Sequence, residues 1–93
     1  MVSDGAVSLF ILAGIAAADV VCCIRTGYHP QGDNHTEAEQ ALRRCDPGSE
    51  KHLAKLLRLK TSSAYSPTTT TREAAKVAKR AAEALVARAA ELT

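Results

Sequence analysis

Apolar residues are arranged differently in the first quarter of the chain and in the remainder. From Ala6 to Ile24 almost every position is apolar, and these side chains would point to all sides of a helix. The later segments place their apolar residues on one stripe with the period of a helix. The first pattern predicts a buried helix, and the later ones predict helices that bury one face.

Capping and breaking residues indicate where the first two helices begin and end. Ser3 or Asp4 can cap the first helix, which we expect to reach about Arg25 before Gly27 stops it. A turn-rich segment follows, and a second helix is predicted from about His35 to Cys45.

The second half of the chain contains two further predicted helices. Asp46, with proline at the first helical position, or Ser49 begins the third helix. A proline followed by four threonines then predicts a loop, and the capping-box spacing of Thr70 and Glu73 begins the last helix. The expected buried seam of that helix is Ala74, Val77, Ala78, Ala81, Leu85, Ala89 and Leu92.

The expected fold is an all-α, antiparallel bundle of four helices, formed by residues 1–93 as a single domain with the first helix fully buried. Alanine and leucine dominate the apolar residues, whereas the chain has only 1 Phe, 2 Tyr and no Trp. Such a composition favours close-packed helices over sheets, which are enriched in β-branched and aromatic residues. A chain of 93 residues is also close to the size at which one core is only marginally stable.

The apolar first helix also predicts a subunit interface. Three short helices cannot surround it completely, so we expect its remaining face to meet a second copy or another chain. A homodimer is expected, with an interface drawn from Leu9, Phe10, Ile11, Leu12 and Ile15. Asp19 argues against a membrane span and Asp4 against a signal peptide, so we expect a cytoplasmic protein without a membrane role.

Charge is distributed unevenly between the two halves. Residues 1–50 carry 3 basic and 7 acidic side chains, and residues 51–93 carry 9 basic and 3 acidic ones. An acidic partner should therefore meet the second half. Three cations in this half are spaced i, i+4, i+7, and hydroxyl groups and an aromatic ring follow them. This combination suits contacts with nucleic-acid phosphates. Such a stripe of cations can also be an ordinary solvated helix face. The candidate RNA- or phosphate-binding residues are Lys51, Lys55, Arg58, Lys60, Ser63 and Tyr65.

Cysteine and histidine residues do not follow the spacing of a metal site. Zinc needs about four converging ligands, commonly supplied as close pairs. No such pairing occurs among Cys22, Cys23, His29, His35, Cys45 and His52, so we expect neither a metal nor another cofactor. Adjacent Cys22 and Cys23 cannot form an ordinary disulfide with each other, and we expect thiols in a reducing compartment.

Several segments together resemble HEPN-domain proteins over about residues 8–90. They are residues 13–23, Gly27, residues 32–35, residues 56–60 with Ala64-Tyr65, and the alanine-rich helix from Glu73. The resemblance implies a helical bundle that commonly dimerises. Many active members are metal-independent RNases or toxins with an Arg-x4-6-His motif, often extended by a tyrosine two residues after the histidine.

Carried over to this chain, the motif falls on Arg58 and Tyr65, with Ser63 where the histidine would stand. A shifted frame aligns Lys60 and Tyr65 and also lacks the imidazole. Cleavage through the RNA 2′-hydroxyl needs a proton acceptor tuned near neutral pH, which serine does not supply. We therefore expect a HEPN-like module that binds RNA or a partner protein without cleaving. The alternatives are a ribonuclease using Arg58, Tyr65 and His35, and a plain protein-interaction module.

Overall fold

A computed structural model describes residues 4–27, 35–61 and 71–93. Its four helices are α1 (Asp4–Thr26), α2 (His35–Cys45), α3 (Pro47–Thr61) and α4 (Thr71–Leu92). These described ranges contain no strand, which confirms the predicted all-α, four-helix architecture.

Local chemistry accounts for the helix ends. Gly27 adopts a left-handed φ of 74°, and its N–H donates a 2.7 Å hydrogen bond to the carbonyl oxygen of Cys23, which closes the last turn of α1. Asp46 separates α2 from α3, and its carboxylate accepts a hydrogen bond from the Ser49 hydroxyl. Pro47 occupies the first position of α3, where its missing N–H costs nothing.

α1 and α3 each contact all three of the other helices, and the most extensive packing is between α1 and α4. The core joins one side of α1 to leucines of α2 and α3 and to the alanines of α4. The largest completely buried side chains are Val7, Val21, Leu42, Leu56 and Leu85.

Gly14 lies where α3 and α4 come close to α1. A Cβ atom at this position would lie 2.2 Å from Leu56 Cδ1 and 3.3 Å from the Cα of Ala82 in α4. A side chain at residue 14 would therefore collide with Leu56 unless Leu56 moved. On the α4 side, the small side chain of Ala82 allows the two helices to lie close together. The small residues of α1 and α4 thus determine how tightly the two longest helices pack.

Two sequence-based expectations about burial are not confirmed. α1 is not fully buried, since 39% of its apolar 18-residue window is buried. The reason is geometric, because three helices cover only one side of it. Val77 is 42% exposed rather than part of the α4 seam, and Ala75 and Ala82 are buried instead. Val77 lies about 100° around the axis from buried Ala78, at the margin of the covered face.

The apolar segment Gly5–Thr26 is long and hydrophobic enough to cross a membrane by length and composition, with a mean hydropathy of 2.4. Core helices of water-soluble proteins and signal sequences have the same properties. Here one side of the helix packs against α2, α3 and α4.

Candidate functional site

The predicted basic stripe lies on the exposed side of α3. Lys51, Lys55 and Arg58 are all exposed, whereas Leu53 and Leu56 point into the core. Their spacing places the three cations within about 60° of one another around the helix axis. The stripe is therefore a single cationic surface.

α4 adds a fourth cation to this surface. A cleft of about 400 Å³ between α3 and α4 is lined by His52 and Lys55 from α3 and by Val77, Arg80 and Ala81 from α4. Lys55 and Arg80 supply cations from its two sides, and Val77 and Ala81 supply apolar surface. This arrangement can hold an anionic group between two cations while a flat apolar group rests on the helix surface.

His52 is a further member of the site, considered in the sequence only as a metal ligand. Its side chain is half-buried, and its pKa is lowered chiefly by burial and further by the positive charges of Lys51 and Lys55. The imidazole is therefore neutral at neutral pH. A neutral imidazole can accept a hydrogen bond from a hydroxyl group, which Lys and Arg side chains cannot do.

A second cleft continues the first along the same pair of helices. It has a volume of about 320 Å³, and it shares His52 with the first. Its lining residues are Asp46, Gly48, Ser49, His52, Ala84, Ala87, Arg88 and Glu91. Arg88 here is paired with both Asp46 and Glu91, at 2.9 Å each, so this end carries no comparable excess of positive charge. We call the two clefts together the α3–α4 groove.

Asp46 organises the neutral end of the groove. The residue is 6% exposed, and its carboxylate accepts hydrogen bonds from Arg88, Arg25 and Ser49. The Arg88 hydrogen bonds are the largest cause that lowers the pKa of Asp46 to about 2. The same ion pair raises the pKa of Arg88. Asp46 thus joins the end of α1 and the last turns of α4 to the α2–α3 junction.

The other predicted binding residues are distributed differently. Lys60 is exposed but lies about 200° around the axis from Arg58, away from the basic stripe. Ser63 and Tyr65 lie outside the described residues, as does the side chain of His35. Of the proposed catalytic set Arg58, Tyr65 and His35, the structure therefore describes only the side chain of Arg58.

The predicted interface residues of α1 occupy three environments. Leu9 and Leu12 are 68% and 58% exposed. Phe10 and Ile15 are partly buried against the core, and Ile11 lies in the core, where a partner chain cannot reach it. The exposed apolar surface is therefore a strip along one side of α1, which we call the outer stripe. Its residues are Leu9, Leu12, Ala13, Ala16, Val20, Cys23 and Ile24.

Cysteine and histidine side chains form no metal cluster in the part of the chain that the structure describes, where no three potential ligands converge. Cys22 and Cys45 instead contact each other, with 3.4 Å between their sulfur atoms. Burial, and secondly the contact with Cys45, raise the pKa of the Cys22 thiol to about 12.

Comparison with known proteins finds no match, whether to a protein-family model, to a curated protein or to a solved structure.

Sequence reasoning identified Lys51, Lys55 and Arg58 because their spacing follows one helix. It missed Arg80 and His52 as partners of Lys55, because only the packing of α4 on α3 brings them together. The only indication of these two residues in the sequence is that they lie in the positively charged second half of the chain.

Proposed function

We propose that this protein is a HEPN-like helical module of the cytoplasm that binds single-stranded RNA along the α3–α4 groove without cleaving it. One observation carries the proposal. Lys55 and Arg80, from different helices, line one cleft whose remaining surface is apolar or neutral. Lys51 and Arg58 extend the positive charge along α3.

The geometry suits a strand better than a single small anion. Lys51 and Arg58 are seven positions apart, which is about 10 Å along the helix axis, so successive phosphates can meet successive cations. Val77 and Ala81 offer apolar surface for a base that is not stacked in a duplex. Neutral His52 can accept a hydrogen bond from the 2′-hydroxyl, the group that distinguishes RNA from DNA.

The absence of cleavage follows from the chemistry of the motif. HEPN ribonucleases carry their histidine after the motif arginine, whereas this chain has Ser63 there. His52 stands six residues before Arg58 and about 120° away around the helix. The groove accordingly offers phosphate contacts without the imidazole of the family motif.

A charge-matched pair of variants tests the binding site. Lys55→Glu with Arg80→Glu reverses two groove cations, whereas Lys60→Glu with Lys79→Glu makes the same change in net charge at exposed positions outside the groove. Binding to a fluorescein-labelled single-stranded RNA is measured by anisotropy at several salt concentrations. The groove variant should bind at least about tenfold more weakly with a shallower salt slope, and the control should bind within about threefold of wild type.

Equal weakening by both variants would show that net charge, not the groove, binds RNA. An RNA affinity that does not change with salt concentration would show that the protein does not bind RNA through its phosphates. A parallel incubation of labelled RNA with chelator tests the other half of the proposal. Robust cleavage that Arg58→Ala abolishes would establish the ribonuclease alternative.

The outer stripe supports a second candidate function, protein association, with a second copy as the partner. Leu9 and Leu12 are more than half exposed, and the stripe continues to Ile24 over about 22 Å of helix. Monomeric proteins rarely expose a long contiguous apolar surface. Ala13 and Ala16 lie within it and leave room for a second helix to approach closely. Homodimerisation through this surface is compatible with RNA binding on α3 and α4.

A further inference from the structure

Two thiols from different helices lie in contact beside the junction of α2 and α3. Cys22 belongs to α1 and is 4% exposed, whereas Cys45 is the last residue of α2 and is half-buried. Their sulfur atoms are 3.4 Å apart, and both cysteines are free. A disulfide bond is about 2.05 Å long, so the sulfur atoms need to approach by only about 1.4 Å.

We propose that Cys22 and Cys45 are a reversible redox pair, which closes to a disulfide on reaction with low-molecular-weight disulfides. The neighbouring Cys23 is exposed on the outer stripe, about 100° around the helix from Cys22. It faces away from the pair and is not a member of it. This inference does not depend on RNA binding or on dimerisation.

The two thiols differ in accessibility, which determines the order of the reaction. Cys45 is the more exposed, so its thiolate attacks a disulfide RSSR, forms the mixed disulfide Cys45–S–SR and releases RS⁻. The Cys22 thiol then loses its proton to solvent base, attacks the Cys45 sulfur and releases the second RS⁻. In total two protein thiols are oxidised, and one RSSR is reduced to two RSH.

The burial of Cys22 makes the second step slower than the first. Its pKa of about 12 keeps the thiol protonated at neutral pH, so little thiolate is present to attack. The contact between the two sulfur atoms compensates in part, since the mixed disulfide forms next to the attacking group. We therefore expect the mixed disulfide to appear first and the internal disulfide to replace it.

The disulfide would reinforce an existing connection in the fold. It joins positions 23 apart in the sequence, and Cys45 directly precedes Asp46, to which Arg25 of α1 donates a hydrogen bond. Closing this loop restricts the unfolded chain and raises the melting temperature. Intracellular disulfides are commonly transient and redox-sensing, and a reversible Cys22–Cys45 disulfide would have that character.

The test uses the Cys23→Ser variant, treated with oxidised glutathione and then alkylated for mass spectrometry. We expect one intramolecular disulfide, a loss of about 2 Da and no free thiol, with full reversal by a dithiol reductant. Trypsin cuts after Arg25, Arg43 and Arg44, and should release Cys22 and Cys45 in linked peptides. The oxidised protein should melt roughly 5 °C or more above the reduced one.

Matched controls in the same background are Cys22→Ala and Cys45→Ala. The Cys22→Ala variant should stop at the glutathione adduct, and neither variant should gain thermal stability on oxidation. The proposal is overturned if Cys23→Ser protein accumulates only glutathione adducts or disulfides between molecules. It is equally overturned if wild-type protein forms its internal disulfide through Cys23.

Discussion

The two sides of α1 are both apolar, yet they have different surroundings. On the inner side, Val7 and Val21 are completely buried, and Gly14 touches two other helices. On the outer side, Leu9 and Leu12 are more than half exposed. Hydrophobicity alone therefore does not identify the side that packs within the chain. The difference lies in shape, because the inner side has a glycine, Gly14, where α3 and α4 come close to α1.

The largest expected effect comes from filling the space at Gly14. Gly14→Leu forces a side chain into the positions of Leu56 and the α4 backbone, and should destabilise the protein by about 3 kcal/mol or more. Ala13→Leu adds similar volume on the exposed outer side and, at protein concentrations low enough to keep the chains apart, should change the stability of the isolated protomer by at most about 0.5 kcal/mol. Urea unfolding followed by circular dichroism measures both. Similar losses in the two variants would show that the inner and outer sides are assigned incorrectly.

Much of the fold follows from local sequence, because capping and periodicity are local. The second helix was predicted from about His35 to Cys45, and α2 has these bounds. Pro47 occupies the first position of α3, which is the first of the two predicted starts, and α4 begins at Thr71, one residue after its expected cap. These ends depend on glycine, proline and side-chain caps within a few residues of each boundary.

Contacts between distant residues could not be predicted in the same way. The carboxylate of Asp46 meets Arg88, 42 residues later, and Cys22 meets Cys45. Neither pair has a spacing that marks it in the sequence. Similarly, α1 has apolar residues on every side, so periodicity could not show that Leu12 is exposed and Ile11 is buried.

A smaller loss of stability is expected at Asp46, which connects the end of α1 to the rest of the bundle. Asp46→Asn weakens the hydrogen bonds from Arg88 and Arg25 and should cost about 2 kcal/mol at pH 7. The folded pKa of Asp46, about 2, lies below its ordinary value of 3.8. Its ionised form therefore stabilises the protein fully above about pH 5, and this contribution is lost as the pH falls towards 2.

The measurement is the free energy of unfolding of wild type and Asp46→Asn between pH 7 and pH 2. The difference in the free energy of unfolding between the two proteins should shrink steadily below about pH 5. Protonation of Asp46 in the wild type removes the negative charge that the substitution has already removed from the variant. A difference that stays constant over this range would mean that the Asp46 carboxylate is not the group responsible.

The smallest effect on the single chain is expected at the outer stripe. Leu12→Gln removes an exposed apolar side chain and should change the stability of the isolated protomer by at most about 0.5 kcal/mol. If the stripe pairs two copies, the melting temperature of the wild type rises with protein concentration, and that of Leu12→Gln rises less. Identical concentration dependence in both proteins would argue that Leu12 contacts no partner.

The mass of the particle in solution tests most directly whether the outer stripe is an association surface. Sedimentation equilibrium of the wild type should give twice the chain mass of 9.8 kDa, and Leu9→Glu with Leu12→Glu should give 9.8 kDa with unchanged helix content. A wild type that remains at 9.8 kDa over the micromolar range would contradict the dimer. So would a double variant that keeps the mass of two chains.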